Sequence, residues 1–161
     1  MSTVTRSPIS TKKTTVKKTA PASKTAESKA SNQELNNYKS QVDAIHASQI
    51  VAEFQLDGSI VAANERFCKL LGFTQDEVIG LNHNALLEQN KRDSVDCKEF
   101  WNDLCNGRHK SGEFQRVGKG GKDVWIQGYY SAILDAKDQP CKVMLFATDN
   151  TATNALLTEL A

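Results

Sequence analysis

Leu35, Tyr38, Val42 and Ile45 recur at three- and four-residue spacing, which predicts an amphipathic helix over residues 32–48, with Ser31 and Glu34 at the separation of a capping box. At Ile50 the period drops to two. Ile50, Ala52, Phe54 and Leu56 alternate with Val51, Glu53 and Gln55, and Asp57-Gly58 then supplies a hairpin turn into a second strand over residues 59–63.

Short helices come next. Asn64 is placed to cap one whose Phe67, Leu70 and Leu71 face inward, and Gly72 gives it a left-handed exit. Thr74 and Glu77 repeat the capping spacing before Gly80. Ser94 caps a longer helix in which Cys97, Trp101, Leu104 and Cys105 share a face, flanked by Phe100, and Gly107 ends it. Three strands close the pattern: residues 112–117, residues 123–134 after the Lys119-Gly120-Gly121-Lys122 turn, and residues 141–148 after Gln139-Pro140. Strands in hairpins at both ends of a helical block argue for an α+β domain, an antiparallel sheet with its helices on one face. Val124, Ile126 and Gly128 alternate with Trp125, Gln127 and Tyr129, and Val143, Leu145 and Ala147 with Met144, Phe146 and Thr148, so both faces of the sheet are expected to be largely apolar. One face should pack under the short helices and the other should receive the N-terminal helix.

Charge divides the 161 residues unevenly. Residues 1–31 hold seven lysines or arginines against Glu27 alone, although the whole chain carries a formal charge of only +1. This segment is mostly Ser, Thr, Lys and Ala, with too few large apolar side chains to offset the entropy of ordering, and it is expected to be a disordered tail. Its charge alone would draw it to acidic surfaces, which makes membrane contact conceivable; no specific nucleic-acid partner is expected. The organisation that follows is a tail over 1–31, a cap helix over 32–48, a folded domain over 49–151 and the start of a further helix over 152–161. Neither an export signal, a transit peptide nor a stretch of ~18 apolar residues is present, so a cytoplasmic location is expected.

Candidate chemistry is sparse. Cys68, Cys97, Cys105 and Cys141 form no CxxC and no Cys/His pair at zinc spacing, and are expected to be thiols. No GxSxG, HExxH or phosphate-binding glycine loop occurs, since Gly118–Gly121 joins two strands instead of opening a helix. No enzymatic activity is expected.

The ordered pieces Leu56-Asp57-Gly58-Ser59-Ile60, Ala63-Asn64-Glu65-Arg66-Phe67, Gly72-Phe73-Thr74, Glu77-Val78-Ile79-Gly80, Ser111-Gly112-Glu113-Phe114, Val124-Trp125-Ile126-Gln127 and Phe146-Ala147-Thr148-Asp149-Asn150-Thr151 resemble the PAS domain. The resemblance is narrower to the PAS sensors of bacterial energy-taxis (Aer-like) and methyl-accepting chemotaxis receptors. It implies a five-stranded antiparallel sheet in the order 2-1-5-4-3 cupping a pocket, and a cytoplasmic sensor of energy, redox state or oxygen that relays a ligand's state through flanking helices. Asp149-Asn150-Thr151 is similar to the Asp-x-Thr that joins the last strand of PAS proteins to an output helix, here carrying Leu156, Leu157 and Leu160.

The same resemblance nominates cofactor positions. Gly80, His83 and Asn84 reproduce the Gly-x-x-His-Asn of aerotaxis receptors that hold FAD, and Trp101 matches their tryptophan, whereas Leu87-Glu88-Gln89-Asn90 replaces their Arg-His-Pro-Asp. In light-sensing LOV domains the photoreactive cysteine corresponds to His83, and the three flavin-binding amides correspond to Arg116, Ile126 and Ala147, so blue-light adduct chemistry is not expected. FAD is one implied cofactor. Haem b held by a neutral His83 nitrogen is the alternative, and a cofactor-free domain with His83 satisfied internally is the third. The implied partners are a second copy of the chain, met through Leu35, Tyr38, Val42, Ile45 and the outer sheet face, and a downstream signalling protein or receptor domain. A PAS module serving only dimerisation or docking is the alternative to a sensor.

Overall fold

The computed structural model describes residues 23–161, with side chains from residue 29 onward; of the basic tail expected over residues 1–31, residues 1–22 lie outside the described residues. Two compact units divide the chain, Met1–Lys39 and Ser40–Ala161. The described part of the first is helix α1, Ser23–Ser48, which continues into the second. It begins upstream of Ser31, so the expected border at residue 31 moves to Ser23 and Ser31 is an exposed interior position. Polarity misled the expectation: residues 23–31 offer no apolar side chain larger than alanine, but Lys24, Ala26, Glu27, Lys29 and Ala30 are strong helix formers.

In the second unit, β1 (Ile50–Phe54) and β2 (Ile60–Ala63) form the expected hairpin. Helices α2 (Glu65–Leu71), α3 (Gln75–Val78) and α4 (Val95–Cys105) follow, with a short 3-10 turn over His83–Leu86 between the last two. The expected caps form. Asn64 accepts from the Phe67 N–H, Thr74 and Glu77 close a capping box, and Ser94 accepts from the Cys97 N–H. Strands β3 (Lys110–Val117), β4 (Asp123–Leu134) and β5 (Pro140–Asp149) complete an antiparallel sheet of order β2-β1-β5-β4-β3, the order the resemblance implied, and α5 (Thr151–Glu159) follows.

Alternation along the strands sends Ile50, Ala52, Phe54, Ile60, Val124, Ile126, Tyr130, Val143, Leu145 and Ala147 to the inner face, where Phe67, Leu71, Val78, Leu86 and Leu104 from the helical side pack on them. Each such Leu, Val, Ile or Phe contributes roughly 1.5–3 kcal/mol by leaving water. The opposite face is less covered than its composition suggests. Gln127 and Tyr129 are exposed, Tyr129 at 59 %, and Trp125, Met144 and Phe146 are half-buried. Val42 and Ile45, in the same unit as the sheet, are exposed too, at 46 % and 39 %, so this part of α1 does not receive the cover expected for it.

Asn64 fastens the end of α1 to the sheet. Its Oδ1 accepts from the Val51 N–H (3.1 Å) and the Phe67 N–H (3.0 Å), while its Nδ2 donates to the His46 carbonyl (3.0 Å) and the Gln49 carbonyl (2.7 Å). One side chain thus satisfies four backbone groups from α1, its exit, β1 and α2, which otherwise meet no ladder partner there.

Candidate functional site

The Asp57-Gly58 turn does more than reverse the chain. Gly58 is left-handed (φ 88°), and its carbonyl accepts from the His83 N–H at 2.8 Å. The Asp57 carbonyl accepts from Asn82 Nδ2 at 2.8 Å, and Asn82 Oδ1 in turn caps the short 3-10 turn by accepting from the Asn84 N–H. A turn legible in the sequence therefore fixes the backbone that aims His83 into the core, where it is 1 % exposed.

Three elements surround the ring. Trp101 of α4 donates its indole N–H to His83 Nδ1 at 3.2 Å. An indole nitrogen only donates, so Nδ1 holds a lone pair and the imidazole proton sits on Nε2, facing Tyr130 Oη of β4 at 3.3 Å. From β3, Arg116 directs Nε (3.1 Å) and Nη2 (3.0 Å) at the same Tyr130 oxygen, and Nη1 at the Gln115 carbonyl (2.6 Å). Aromatic rings enclose the cluster: Phe100 stacks on His83 with centroids 5.7 Å apart, and Phe54 and Trp101 meet His83 edge-on. The guanidinium lies 5.1 Å from the Phe114 centroid and 5.4 Å from that of Tyr130, distances at which ring quadrupoles attract a cation.

The electrostatics follow from burial. His83 is held well below the ordinary histidine range, first because burial penalises its charged form and then because Arg116 repels it, so the ring is neutral. Burial raises Tyr130, although Arg116 pulls the other way, and the phenol keeps its proton. Arg116 itself is 6 % exposed and forms no ion pair with a carboxylate among the described residues.

A cavity of about 250 Å³ opens beside this cluster, lined by His83, Leu87, Phe100, Phe114 and Arg116, with Lys91, Ser94, Asp96 and Cys97 completing it. A larger recess of about 550 Å³ on the other flank has Arg66, Lys69 and Lys122 around it, but each of those cations is already engaged: Arg66 by the Ala47 carbonyl, Lys69 by Glu65 and Lys122 by the Leu70 carbonyl. Of these two, the smaller is the one that reaches the buried polar side chains His83 and Arg116.

Of the six residues nominated for cofactor contact, His83 and Arg116 line that cavity. Trp101 stands behind His83 as its donor, and Asn84 lies beside α4, where its Oδ1 accepts from the Cys97 thiol at 3.2 Å. Ile126 and Ala147 belong to the apolar core of the inner face. Tyr130, which joins His83 to Arg116, was missed, although the inward alternation of Val124, Ile126 and Gly128 continues directly to it. The four cysteines are free thiols, and no group of three or more metal-ligating side chains occurs among the described residues.

Strand order and helical block together define an α+β domain, a five-stranded antiparallel sheet with short helices on one face. The family model of the PAS domain matches residues 49–152, and the chain belongs to that family. It is 34 % identical over 111 residues to the biofilm dispersion protein BdlA of Pseudomonas aeruginosa, a match that takes in 69 % of this chain and 27 % of that protein; the chain thus spans about a quarter of this curated relative's length. Among solved structures, the PAS domain of a Colwellia psychrerythraea protein superposes with a TM-score of 0.62 at 20 % identity, covering 71 % of this chain and 98 % of that one. A light-oxygen-voltage domain studied with a flavin analogue superposes with a TM-score of 0.58 at 22 % identity, covering 74 % and 93 %. At such identities the two structures attest the fold alone.

The residues present bear differently on the implied cofactors. Axial ligation of haem needs a free imidazole lone pair, yet Nδ1 accepts from Trp101 and Nε2 carries the proton facing Tyr130, so the arrangement does not fit haem. For a flavin, Arg116 offers hydrogen bonds whereas Ile126 and Ala147 offer none, and 250 Å³ falls short of the roughly 300–1,000 Å³ of sites for drug-sized ligands, which a dinucleotide exceeds. No helix among the described residues is long and apolar enough to cross a membrane.

Proposed function

We propose that the domain is a cytoplasmic PAS sensor of bacterial signal transduction, of the kind used in chemotaxis and in energy, redox or oxygen sensing, which binds a small molecule beside His83 and relays its state to flanking helices. The observation that carries this reading is the neutral His83, bridged by Tyr130 to the buried cation Arg116, at the wall of a cavity in an otherwise apolar core. Buried polar clusters at cavities are where a ligand's charge and shape find leverage. The domain acts as a relay and not as an enzyme, and its output goes to a separate signalling protein or receptor domain.

The route outward runs along β4. Tyr130 lies on this strand, and so does Trp125, whose carbonyl accepts from the Asn150 N–H at 2.8 Å and whose N–H donates to Thr151 Oγ1 at 3.1 Å. Arg116 is ladder partner to Val124, next to Trp125. A ligand that draws Arg116 away from Tyr130 alters both contacts of one strand, and it signals to the extent that it binds the two arrangements unequally. FAD and haem b are tested by the absorbance spectrum of freshly purified protein; the cavity as it stands favours something smaller. The whole reading is tested by amide exchange across α5 with and without a bound ligand: altered protection is expected, and identical protection would end the relay.

A specific observation supports a second role. Leu35, Tyr38, Val42 and Ile45 share one helical face and are all exposed, and Tyr129 is exposed on the outer sheet face, surfaces that a second copy of the chain would cover. Sedimentation across concentration should give a dimer that Val42→Asp weakens at least tenfold; a monomer throughout would remove this role.

A further inference from the structure

The cluster beside the cavity holds more hydrogen-bond donors than acceptors. Every buried side-chain nitrogen and oxygen among the described residues has at least one partner, but the hydrogens do not all find lone pairs. Tyr130 Oη has two lone pairs and is approached by three N–H groups, from Arg116 Nε, Arg116 Nη2 and His83 Nε2. The tautomer imposed by Trp101 rules out relief from His83, because Nδ1 is already accepting and Nε2 bears a hydrogen. The phenol's own hydrogen therefore has no acceptor within the cluster. Arg116 has five N–H donors, and its three bonds leave two of them unassigned.

Charge points the same way. A guanidinium this deeply buried is costly without a counter-ion, and the two aromatic faces beside it offset only part of that cost. The carboxylate that lines the cavity, Asp96, is exposed, as is Lys91, which already pairs with Glu88 at 2.9 Å; both mark the open side and neither neutralises Arg116. Of the other walls, Leu87, Phe100 and Phe114 are apolar or aromatic, the Ser94 hydroxyl is engaged by the Lys91 carbonyl and the Cys97 N–H, and the Cys97 thiol by Asn84. At ~30 Å³ per water the 250 Å³ space holds roughly eight waters, or a ligand on the order of ten non-hydrogen atoms.

We infer that this cavity binds a small organic carboxylate, with the anionic group on the free N–H groups of Arg116 and an apolar or aromatic body between Phe100 and Phe114. The inference rests on the sensor reading for its consequence but not for its chemistry. An incoming carboxylate brings acceptors and a negative charge to the place where donors and positive charge are in excess, so charge-assisted bonds form without breaking any ion pair. The same event divides the charge of Arg116 between the carboxylate and Tyr130 and thereby weakens the side-chain link between β3 and β4 that the donor-crowded oxygen now makes.

The test compares isosteres on the full chain. Benzoate, phenylacetate and hexanoate are titrated by calorimetry beside benzamide, phenylacetamide and hexanamide, and thermal shifts are recorded in parallel. At least one acid is expected to bind ten times or more tightly than its amide, and Arg116→Gln is expected to erase the difference. Since Arg116→Gln alters a buried position, the acid-to-amide ratio in the unsubstituted protein stands as the independent measure. Equal binding of acids and amides, or no binding of any acid at millimolar concentration, overturns the inference. The two readings fail separately: an acid that binds through Arg116 yet leaves α5 exchange unchanged sinks the relay and keeps the site, whereas retained flavin with altered α5 exchange and no acid binding does the reverse.

Discussion

Gly128 of β4 lies against Phe146 of β5 so closely that a β-carbon on Gly128 would stand 2.0 Å from the Phe146 carbonyl oxygen and 2.6 Å from the Ala147 α-carbon. Backbone, unlike the tip of a side chain, cannot step aside there without breaking the pairing that also carries Tyr129 against Phe146 and Tyr130 against Leu145. Gly128→Ala is therefore expected to cost on the order of 4 kcal/mol or to prevent folding. Denaturant unfolding followed by circular dichroism measures it, and an unchanged midpoint would mean the two strands are not this close.

His83 gives the fold an acid sensitivity of its own. Its folded-state pKa lies well below the ordinary 6.5, whereas the unfolded ring titrates normally, so the unfolded state takes up the proton first. The contribution of the neutral ring is complete above pH 6.5 and is lost as the pH falls from there towards the folded value, by up to about 1.4 kcal/mol per pH unit. The carboxylates of Asp57, Glu65, Glu77, Glu88 and Asp103 are lowered from ordinary values of 3.8 or 4.5 and so act only at more acidic pH. Stability measured between pH 7 and 5 should fall in the native chain and run flat in His83→Gln; parallel slopes would show that the ring is not the group responsible.

Trp101 sets which nitrogen of His83 carries the proton. Nitrogen-15 correlation spectra at neutral pH should show a protonated Nε2 and an unprotonated Nδ1. Trp101→Phe keeps an aromatic ring in place but leaves Nδ1 buried without a donor, at a cost of about 1–3 kcal/mol, and frees the tautomer to reverse so that Tyr130 can donate to Nε2. A native-like tautomer in that variant would remove Trp101 from the site.

The framework of this domain was legible because it depends on local rules. Asp57-Gly58, the caps at Asn64, Thr74 and Ser94, and the alternation through Val124–Gly128 are each decided by neighbours within a few residues, and the structure has them all. The site was only partly legible. His83 and Arg116 were nominated by position within a resemblance, but the tyrosine that unites them is 47 residues from His83 and 14 from Arg116. No spacing rule connects such residues; strand pairing does. The start of α1 escaped for the opposite reason, since residues 23–31 have helical propensity without the apolar stripe by which helices were recognised.

Asn64 was legible as a cap and not as a clamp. Asn64→Ala removes the two acceptor bonds to Val51 and Phe67 and the two donor bonds to His46 and Gln49, so it should cost about 3 kcal/mol where an ordinary cap costs ~1. Asn64→Asp keeps the acceptor oxygen and loses the donors. It should retain the start of α2 while amide exchange rises in the last turn of α1, and exchange there at the native rate would mean that the His46 and Gln49 bonds hold nothing.

Thr151 closes the path from the cavity to α5. Its Oγ1 accepts from the Trp125 N–H at 3.1 Å and donates to the Trp125 carbonyl at 3.4 Å, while its own N–H donates to Asp149 Oδ1 at 3.0 Å. Beyond this knot the helix has little to hold it, because Leu156, Leu157 and Leu160 are all exposed and a nine-residue helix is marginal by itself. Thr151→Val preserves the branched shape and removes only the hydroxyl. Exchange of the α5 amides is expected to rise about tenfold, equivalent to ~1.4 kcal/mol, with protection of the central strands unchanged. If α5 exchanges at its native rate in this variant, Trp125 does not grip the helix, and a change at Tyr130 would have no strand-borne way to reach it.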